Sequence, residues 1–222
     1  MVKSGIRQIA KSWLAGLQVY EPGKPIKEVA RELGLKSAES TIIKLASNEN
    51  PLGPSPLAIK AMKKAASQMH RYPDGSAYYL RNALSKRLNV KPEQMLVANG
   101  GNEVLEFIGK MFLEPGAEIL MAEYSFSVYR LIADLFQART VAVPMKNYTH
   151  DLDATLAAIT PRTKVVFIAN PNNPTGTMVS ETDIDGFMKH LPDHVVVCFD
   201  EAYVELLPVA IQPDTLKYVR EQ

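Results

Sequence analysis

Two short apolar segments limit the folds that this 222-residue chain can adopt. Residues 164–169 (KVVFIA) and 195–199 (VVVCF) are rich in β-branched and aromatic side chains and contain almost no polar residue. Such segments are typical of parallel strands that are buried on both faces. Each is followed at once by polar residues, 170–176 after the first and 200–203 after the second. Because ligands bind at the carboxyl ends of strands in open α/β sheets, we expect these two strand ends to form one site.

Strand patterns alternate with helical patterns from residue 95 onwards. The predicted strands are residues 95–98, 118–122, 140–143, 164–169 and 195–199. The predicted helices are residues 104–112, 126–136, 152–159 and 180–191. This alternation indicates βαβ units, and therefore an α/β fold with a mainly parallel sheet flanked by helices.

The first ninety or so residues are predicted to be mostly helix and loop. One helical pattern covers residues 26–33 and ends at Gly34, and another begins at Pro56 with Ser55 as its N-cap. A further helix is predicted over residues 77–88, and residues 42–45 are a short strand candidate.

The bulk composition excludes several classes of protein. A net charge of +1 indicates neither a nucleic-acid-binding surface nor an acidic tail. The single cysteine, Cys198, excludes a disulfide framework and favours a cytoplasmic location. No apolar run approaches the roughly 18 to 20 residues that a membrane span needs. We therefore predict no nucleic-acid partner, no membrane association and no metal site.

Three loops and one aromatic residue carry the candidate chemistry. Gly100 and Gly101 lead directly into a predicted helix, whose free N–H groups suit a phosphate, although the segment is neither GxGxxG nor a Walker loop. The amide of Asn173 can donate to a phenolate oxygen, and Asp200 can face a cation such as a protonated pyridine nitrogen. Phe126 lies where an aromatic side chain can stack on a flat ring. Each feature alone also fits a purely structural role: a glycine-rich helix start, a turn, a cap or core packing.

The joint order of these motifs resembles the large domain of fold type I aminotransferases that use pyridoxal phosphate. The motifs are GGNE at 100–103, YSFSVY at 124–129, NPNNPTG at 170–176 and DEAY at 200–203. Three upstream segments resemble the histidinol-phosphate aminotransferase branch: YEPGKP at 20–25, ASNENPLG at 46–53 and RYPD at 71–74. The resemblance implies a small-domain segment with an N-terminal arm over residues 1–50 and a large, cofactor-binding domain over residues 51–222.

The resemblance also implies roles for individual residues. Gly101 and Asn102 hold the cofactor phosphate, and Phe126 stacks on the pyridine ring. Asn173 and Tyr203 contact the ring oxygen, and Asp200 pairs with the pyridinium nitrogen. A further set lies upstream: Tyr72 reaches the cofactor phosphate of a partner subunit, which implies a homodimer, and Tyr20 and Asn50 line the substrate pocket.

One departure from the family pattern limits the expected activity. The family needs a lysine that forms a Schiff base with the cofactor, in a serine-lysine context after the next strand. The only lysine after Asp200 is Lys217, which lies in a predicted surface helix. We therefore predict no catalytic residue in this chain, a C-terminally truncated sequence and no transamination by these residues alone.

The resemblance implies amino transfer between L-histidinol phosphate and 2-oxoglutarate, giving imidazole acetol phosphate and L-glutamate, a step of histidine biosynthesis. An aromatic amino acid aminotransferase and a threonine-phosphate decarboxylase of the same fold remain alternatives. A non-catalytic remnant is an alternative of another class. A dinucleotide-binding domain is disfavoured because the first strand–helix loop lacks the glycine fingerprint.

Overall fold

The computed structural model describes residues 9–18, 20, 23–35 and 42–221. The chain forms two compact units, one of Val19–Tyr78 and one of Met1–Gln18 together with Tyr79–Gln222. The predicted boundary at residue 50 separates two domains of the family fold. The two compact units do not test it, so it stays a prediction.

The smaller unit consists of helices and irregular segments. Its helices are α1 (Ile26–Glu32) and α2 (Pro56–Ala65), and a 3₁₀ turn, Ala66–Gln68, extends α2. Helix α1 is followed by Gly34 at a φ of +65°, which confirms the predicted end. The strand predicted over residues 42–45 is wrong: the segment is irregular, and Ile43 and Leu45 are exposed. A β-branched run forms a strand only where a neighbouring strand supplies hydrogen-bond partners.

The larger unit contains the alternating segments. Its helices are α3 (Tyr78–Leu88, which begins at the last residue of the smaller unit), α4 (Gly101–Phe112), α5 (Val128–Leu135), α6 (Leu152–Ala157), α7 (Glu181–Lys189) and α8 (Lys217–Arg220). Its strands are β1 (Glu118–Ala122), β2 (Arg139–Val143), β3 (Thr163–Ala169) and β4 (Val196–Asp200). Short 3₁₀ turns are Ser12–Gly16, Pro92–Gln94, Val204–Leu206 and Val209–Ile211. Among the described residues, no helix is both long and apolar enough to cross a bilayer.

The four strands form one parallel sheet in the order β2–β1–β3–β4. This confirms the predicted α/β class and four of the five predicted strands. The strand predicted over residues 95–98 is wrong, because these residues are irregular and Leu96 and Val97 are largely exposed. Their apolar character resembles that of a strand, but the sheet does not extend to them.

Both faces of the sheet are covered, as the uninterrupted apolar segments predict. Alternate residues of β3 enter opposite cores: Val165 and Phe167 pack on one face, and Val166 and Ile168 on the other. The first face is covered by α4 and α5 and the second by α6 and α7; the covering residues include Leu105, Ile132, Leu152, Ile184 and Phe187. Burial on two faces explains why neither core strand alternates apolar with polar residues.

Candidate functional site

The ends of β3 and β4 lie side by side. Ala169 is the register partner of Asp200, and the N–H of Asn170 donates to the carbonyl oxygen of Asp200 at 2.9 Å. The polar residues after the two strands therefore begin at the same edge of the sheet. This is the arrangement that the sequence predicts for residues 170–176, hereafter the strand-end loop, and residues 200–203.

The strand-end loop is held by two buried asparagines. The Asn170 side chain is fully buried; its Nδ2 donates to the Val179 carbonyl at 3.1 Å, and its Oδ1 accepts from the Val179 N–H at 3.0 Å. The Asn172 Nδ2 donates to the Tyr124 carbonyl and to the Thr175 Oγ1, both at 2.8 Å. These contacts fix the loop backbone on either side of Asn173, whose side chain is half-buried.

Asp200 is held by neutral donors. The Tyr129 hydroxyl donates to its Oδ2 at 2.6 Å, and the Ala202 N–H donates to its Oδ1 at 3.2 Å. Tyr129 is fully buried, and its ring stacks on Phe167 with centroids 4.6 Å apart. Burial, together with the negative charge of Asp200, raises the pKa of Tyr129 above its ordinary value. The hydroxyl therefore stays protonated and remains a donor to the carboxylate.

Phe126 and Tyr203 lie in the surroundings of Tyr129. The Phe126 ring meets the Tyr129 ring edge-on, with centroids 5.7 Å apart, and is half-buried against the core. Tyr203 is among the groups whose electrostatic effect raises the pKa of Tyr129. Tyr203 is half-buried and precedes the 3₁₀ turn Val204–Leu206. The structure thus gathers Phe126, Asp200 and Tyr203 around one buried tyrosine.

The start of α4 has the predicted geometry for an anion. Gly100 caps the helix at a φ of +80°, a conformation that favours glycine. Gly101 and Asn102 form the first turn and are exposed, and a Cβ at Gly101 would meet no atom within 4 Å. Free N–H groups and the positive end of a twelve-residue helix are therefore accessible.

Three predicted site residues belong to the smaller unit. Tyr72 is fully exposed, and Tyr20 is about half exposed. The Asn50 Oδ1 accepts from the Leu52 N–H at 2.9 Å, so this side chain is turned onto its own loop. Their assigned roles towards a substrate or a partner subunit stay predictions.

Lys217 begins α8, in the helix that the sequence predicts. Its Nζ lies 2.8 Å from the Glu181 Oε1 and 2.6 Å from the Asp185 Oδ1, both on α7. Hydrogen bonds with Asp185 and Glu181 raise the pKa of Lys217 well above its ordinary value. An ammonium held in this way is a poor nucleophile, because only the neutral amine attacks a carbonyl.

Sequence reasoning missed two residues that organise the site. Tyr129 was used only as part of a motif, although it lies one helical turn from Phe126 and a buried tyrosine hydroxyl needs a partner. Asn170 was used only as part of the loop sequence. Neither contact is visible in a local pattern, because Tyr129 and Asp200 are 71 positions apart.

Comparison with known proteins agrees with this geometry. The family described as aminotransferase class I and II matches residues 40–215. A histidinol-phosphate aminotransferase of Moorella thermoacetica is 47% identical over 207 residues, which cover 93% of this chain and 53% of the relative. One from Akkermansia muciniphila is 50% identical over 217 residues, covering 97% of this chain and 59% of the relative.

A solved structure has the same fold. The histidinol-phosphate aminotransferase of Sinorhizobium meliloti, in complex with pyridoxal-5′-phosphate, superposes with a TM-score of 0.81 at 26% identity. The match covers 91% of this chain and 53% of that chain. The chain therefore belongs to the class I and II aminotransferase family, and it spans about half the length of the curated relatives that it matches.

Proposed function

We propose that these residues form the pyridoxal phosphate cradle of an aminotransferase that acts on L-histidinol phosphate with 2-oxoglutarate. The observation that carries the proposal is Asp200, a carboxylate at a strand end that is held in place by Tyr129 and Ala202. The relatives named histidinol-phosphate aminotransferase support the choice of substrate.

The donor set fits the chemistry of this cofactor. A phosphate suits the exposed first turn of α4, and a pyridinium nitrogen suits the Asp200 carboxylate. An aromatic ring suits Phe126, and a phenolate oxygen suits the amide of Asn173 and the hydroxyl of Tyr203. In addition, the buried Oγ of Ser125, beside Phe126, has no hydrogen-bond partner among the described residues. The described residues therefore include one group of suitable chemistry for each part of the cofactor.

Each protein group has a defined task in the proposed reaction. Bound pyridoxal phosphate supplies an electron-withdrawing ring that stabilises negative charge on the substrate carbon. Asp200 keeps a proton on the ring nitrogen, and Tyr129 keeps the carboxylate in one orientation. Gly101 and Asn102 bind the phosphate, and Phe126 covers one ring face. Tyr72 contacts the phosphate of the cofactor that a partner subunit holds. Tyr20 and Asn50 line the substrate pocket.

The chain by itself is proposed to bind the cofactor without catalysing transamination. The ion pairs of Lys217 with Glu181 and Asp185 support this, since they hold the ammonium against α7. A non-catalytic function of the 222 residues is therefore the second candidate. We further propose a cytoplasmic location and a homodimer, as the family resemblance implies.

Calorimetric titration with pyridoxine 5′-phosphate tests the cradle. This ligand has the ring, the hydroxyl and the phosphate but no aldehyde, so surface lysines do not react with it. We expect binding by the unmodified chain and an affinity about tenfold lower for Asp200→Asn, because a charge-assisted contact is lost. Equal affinities, or no binding by the unmodified chain, would contradict the proposal.

Covalent capture and substrate choice need separate measurements. Borohydride treatment with pyridoxal phosphate is expected to leave the extent of modification unchanged in Lys217→Ala, whereas specific labelling of Lys217 would refute the non-catalytic assignment. With the reading frame extended beyond Gln222, histidinol phosphate is expected to outperform phenylalanine as amino donor. Equal or better use of phenylalanine would favour an aromatic aminotransferase, and release of carbon dioxide from threonine phosphate would favour the decarboxylase.

A further inference from the structure

We propose that His150 is a positioning residue for the strand-end loop, and that it acts through residues 146–151, hereafter the clamp segment. The inference rests on the proposed function, because the loop carries Asn173, the ring-oxygen ligand. The sequence pattern did not single out His150.

His150 contacts the residue that precedes the loop. It is 7% exposed, and its Nε2 lies 3.1 Å from the carbonyl oxygen of Ala169, the last residue of β3. A carbonyl only accepts, so the proton of the neutral ring is on Nε2. Loss of solvent around the ring lowers the pKa of His150, which keeps the ring neutral near pH 7.

The position of Ala169 explains why a side chain is needed there. The register of β1 with β3 runs only to Leu120 and Val166, so the last residues of β3 extend beyond it. On the other side, β4 accompanies β3 as far as Asp200. His150 thus supports the end of β3 on the side where strand pairing has ended.

A second contact joins the clamp segment to the far end of the loop. The Thr177 Oγ1 donates to the Tyr148 carbonyl at 2.6 Å, one residue after the loop ends. Tyr148 and Asn147 have φ values of +59° and +49°, and Lys146 and Thr149 form an isolated antiparallel bridge. The clamp segment therefore contacts the chain on both sides of Asn173.

The clamp segment is itself anchored. The Lys146 Nζ lies 2.9 Å from the Asp151 Oδ2, and the Asp151 Oδ1 accepts from the Ala154 N–H at 3.0 Å as the N-cap of α6. The turn is thereby closed by an ion pair and continued by a capped helix. Because the clamp segment is held at its own end, its contacts can hold the strand-end loop in one position.

A residue inside the strand-end loop, Asn172, also lies near His150. The Asn172 side chain is among the causes that raise the pKa of His150, against the larger effect of burial. Both hydrogen-bond contacts of the Asn172 Nδ2 are directed to Tyr124 and Thr175, while its Oδ1 is buried without a partner among the described residues. The Asn172 side chain, next to Asn173, is thus near enough to affect the pKa of His150.

The test compares two ligands that differ only in the ring oxygen. Pyridoxine 5′-phosphate and its 3-deoxy derivative are titrated into each folded variant by calorimetry, and the ratio of their affinities measures the contact with the ring oxygen. We expect a ratio of about ten in the unmodified chain, which falls towards one in His150→Leu. His150→Gln, which keeps a donor at the place of Nε2, is expected to restore the ratio.

His194→Leu, at an exposed position, is the distant control. The His194 Nε2 lies 3.2 Å from the Thr160 carbonyl, before the opposite end of β3, so the same chemical change is made far from the loop. In His194→Leu, the ratio of the two affinities should equal that of the unmodified chain. Thr177→Val, which removes the second fastening, should lower the ratio, and it carries the test if His150→Leu does not fold.

The outcomes separate the two proposals. An unchanged ratio in both His150→Leu and Thr177→Val overturns the positioning role, and so does an equal loss of both affinities, which a general loss of structure would cause. Failure of the unmodified chain to bind either ligand overturns the proposed cradle instead.

Discussion

Two carboxylates at opposite ends of the sheet differ in how their negative charge is held. Glu118, at the start of β1, is 1% exposed; its Oε1 accepts from the Arg162 Nη2 at 2.8 Å and its Oε2 from the Thr160 Oγ1 at 2.5 Å. Asp200, at the end of β4, accepts only from neutral groups, and no cationic side chain of the described residues forms an ion pair with it.

The difference lies in which group balances the negative charge. Arg162 and Arg139 supply the balancing charge of Glu118 from within the chain, so no ligand is required. Tyr129 orients Asp200 but leaves its charge available to a cationic ligand. A carboxylate that is oriented but not neutralised is typical of a binding site, whereas one that is already paired contributes to the fold.

The largest expected effect concerns an uncharged anchor at the binding end. Asn170→Ala leaves both the N–H and the carbonyl of buried Val179 without partners, and should lower the free energy of unfolding by about 3 kcal/mol. Urea unfolding measures this change in the free energy of unfolding. A neutral Asn170→Ala would mean that the binding end does not depend on this anchor.

Glu118→Gln is expected to have the next largest effect, about 2 kcal/mol, because a charge-assisted pair is lost at a buried position. Glu114→Gln, at an exposed position nearby, is the matched control and should be neutral. Binding of pyridoxine 5′-phosphate should be unchanged in both variants. A loss of ligand affinity in folded Glu118→Gln would break the separation between the two ends.

The same variant carries a pH dependence. Hydrogen bonds from Thr160 and then from Arg162 lower the pKa of Glu118. A carboxylate with a lowered folded-state pKa stabilises the fold above its unfolded-state pKa of about 4.3, and this stability is lost as the pH falls through the folded value. The difference in the free energy of unfolding between the unmodified chain and Glu118→Gln should thus have its full value at pH 7 and decrease below about pH 4.

Tyr129→Phe is expected to have the smallest effect on stability, about 1 kcal/mol, because the ring stack on Phe167 is kept and one hydrogen bond is lost. Its affinity for pyridoxine 5′-phosphate should fall severalfold, but less than that of Asp200→Asn. Tyr79→Phe, at an exposed ring, is the control. An unchanged affinity in Tyr129→Phe would show that the orientation of Asp200 does not depend on the hydroxyl.

Local patterns predicted most of the secondary structure in the larger unit. Residues 118–122 were predicted as a strand with the observed bounds, and Ser180 caps α7 through a capping box with Asp183. The two wrong strands, residues 42–45 and 95–98, have the composition of strands but lack a neighbour in the sheet. Composition reports the preference of a segment, whereas pairing depends on the rest of the chain.

The site divides in the same way. The order of the motifs was enough to place residues 170–176 and Asp200 at neighbouring strand ends, because parallel strands present their carboxyl ends at one edge. Only the tertiary structure showed that Tyr129 orients Asp200 and that His150 contacts Ala169. Sequence periodicity reports which face of an element is buried. The partner of a buried polar group is chosen by packing between segments that are far apart in the chain.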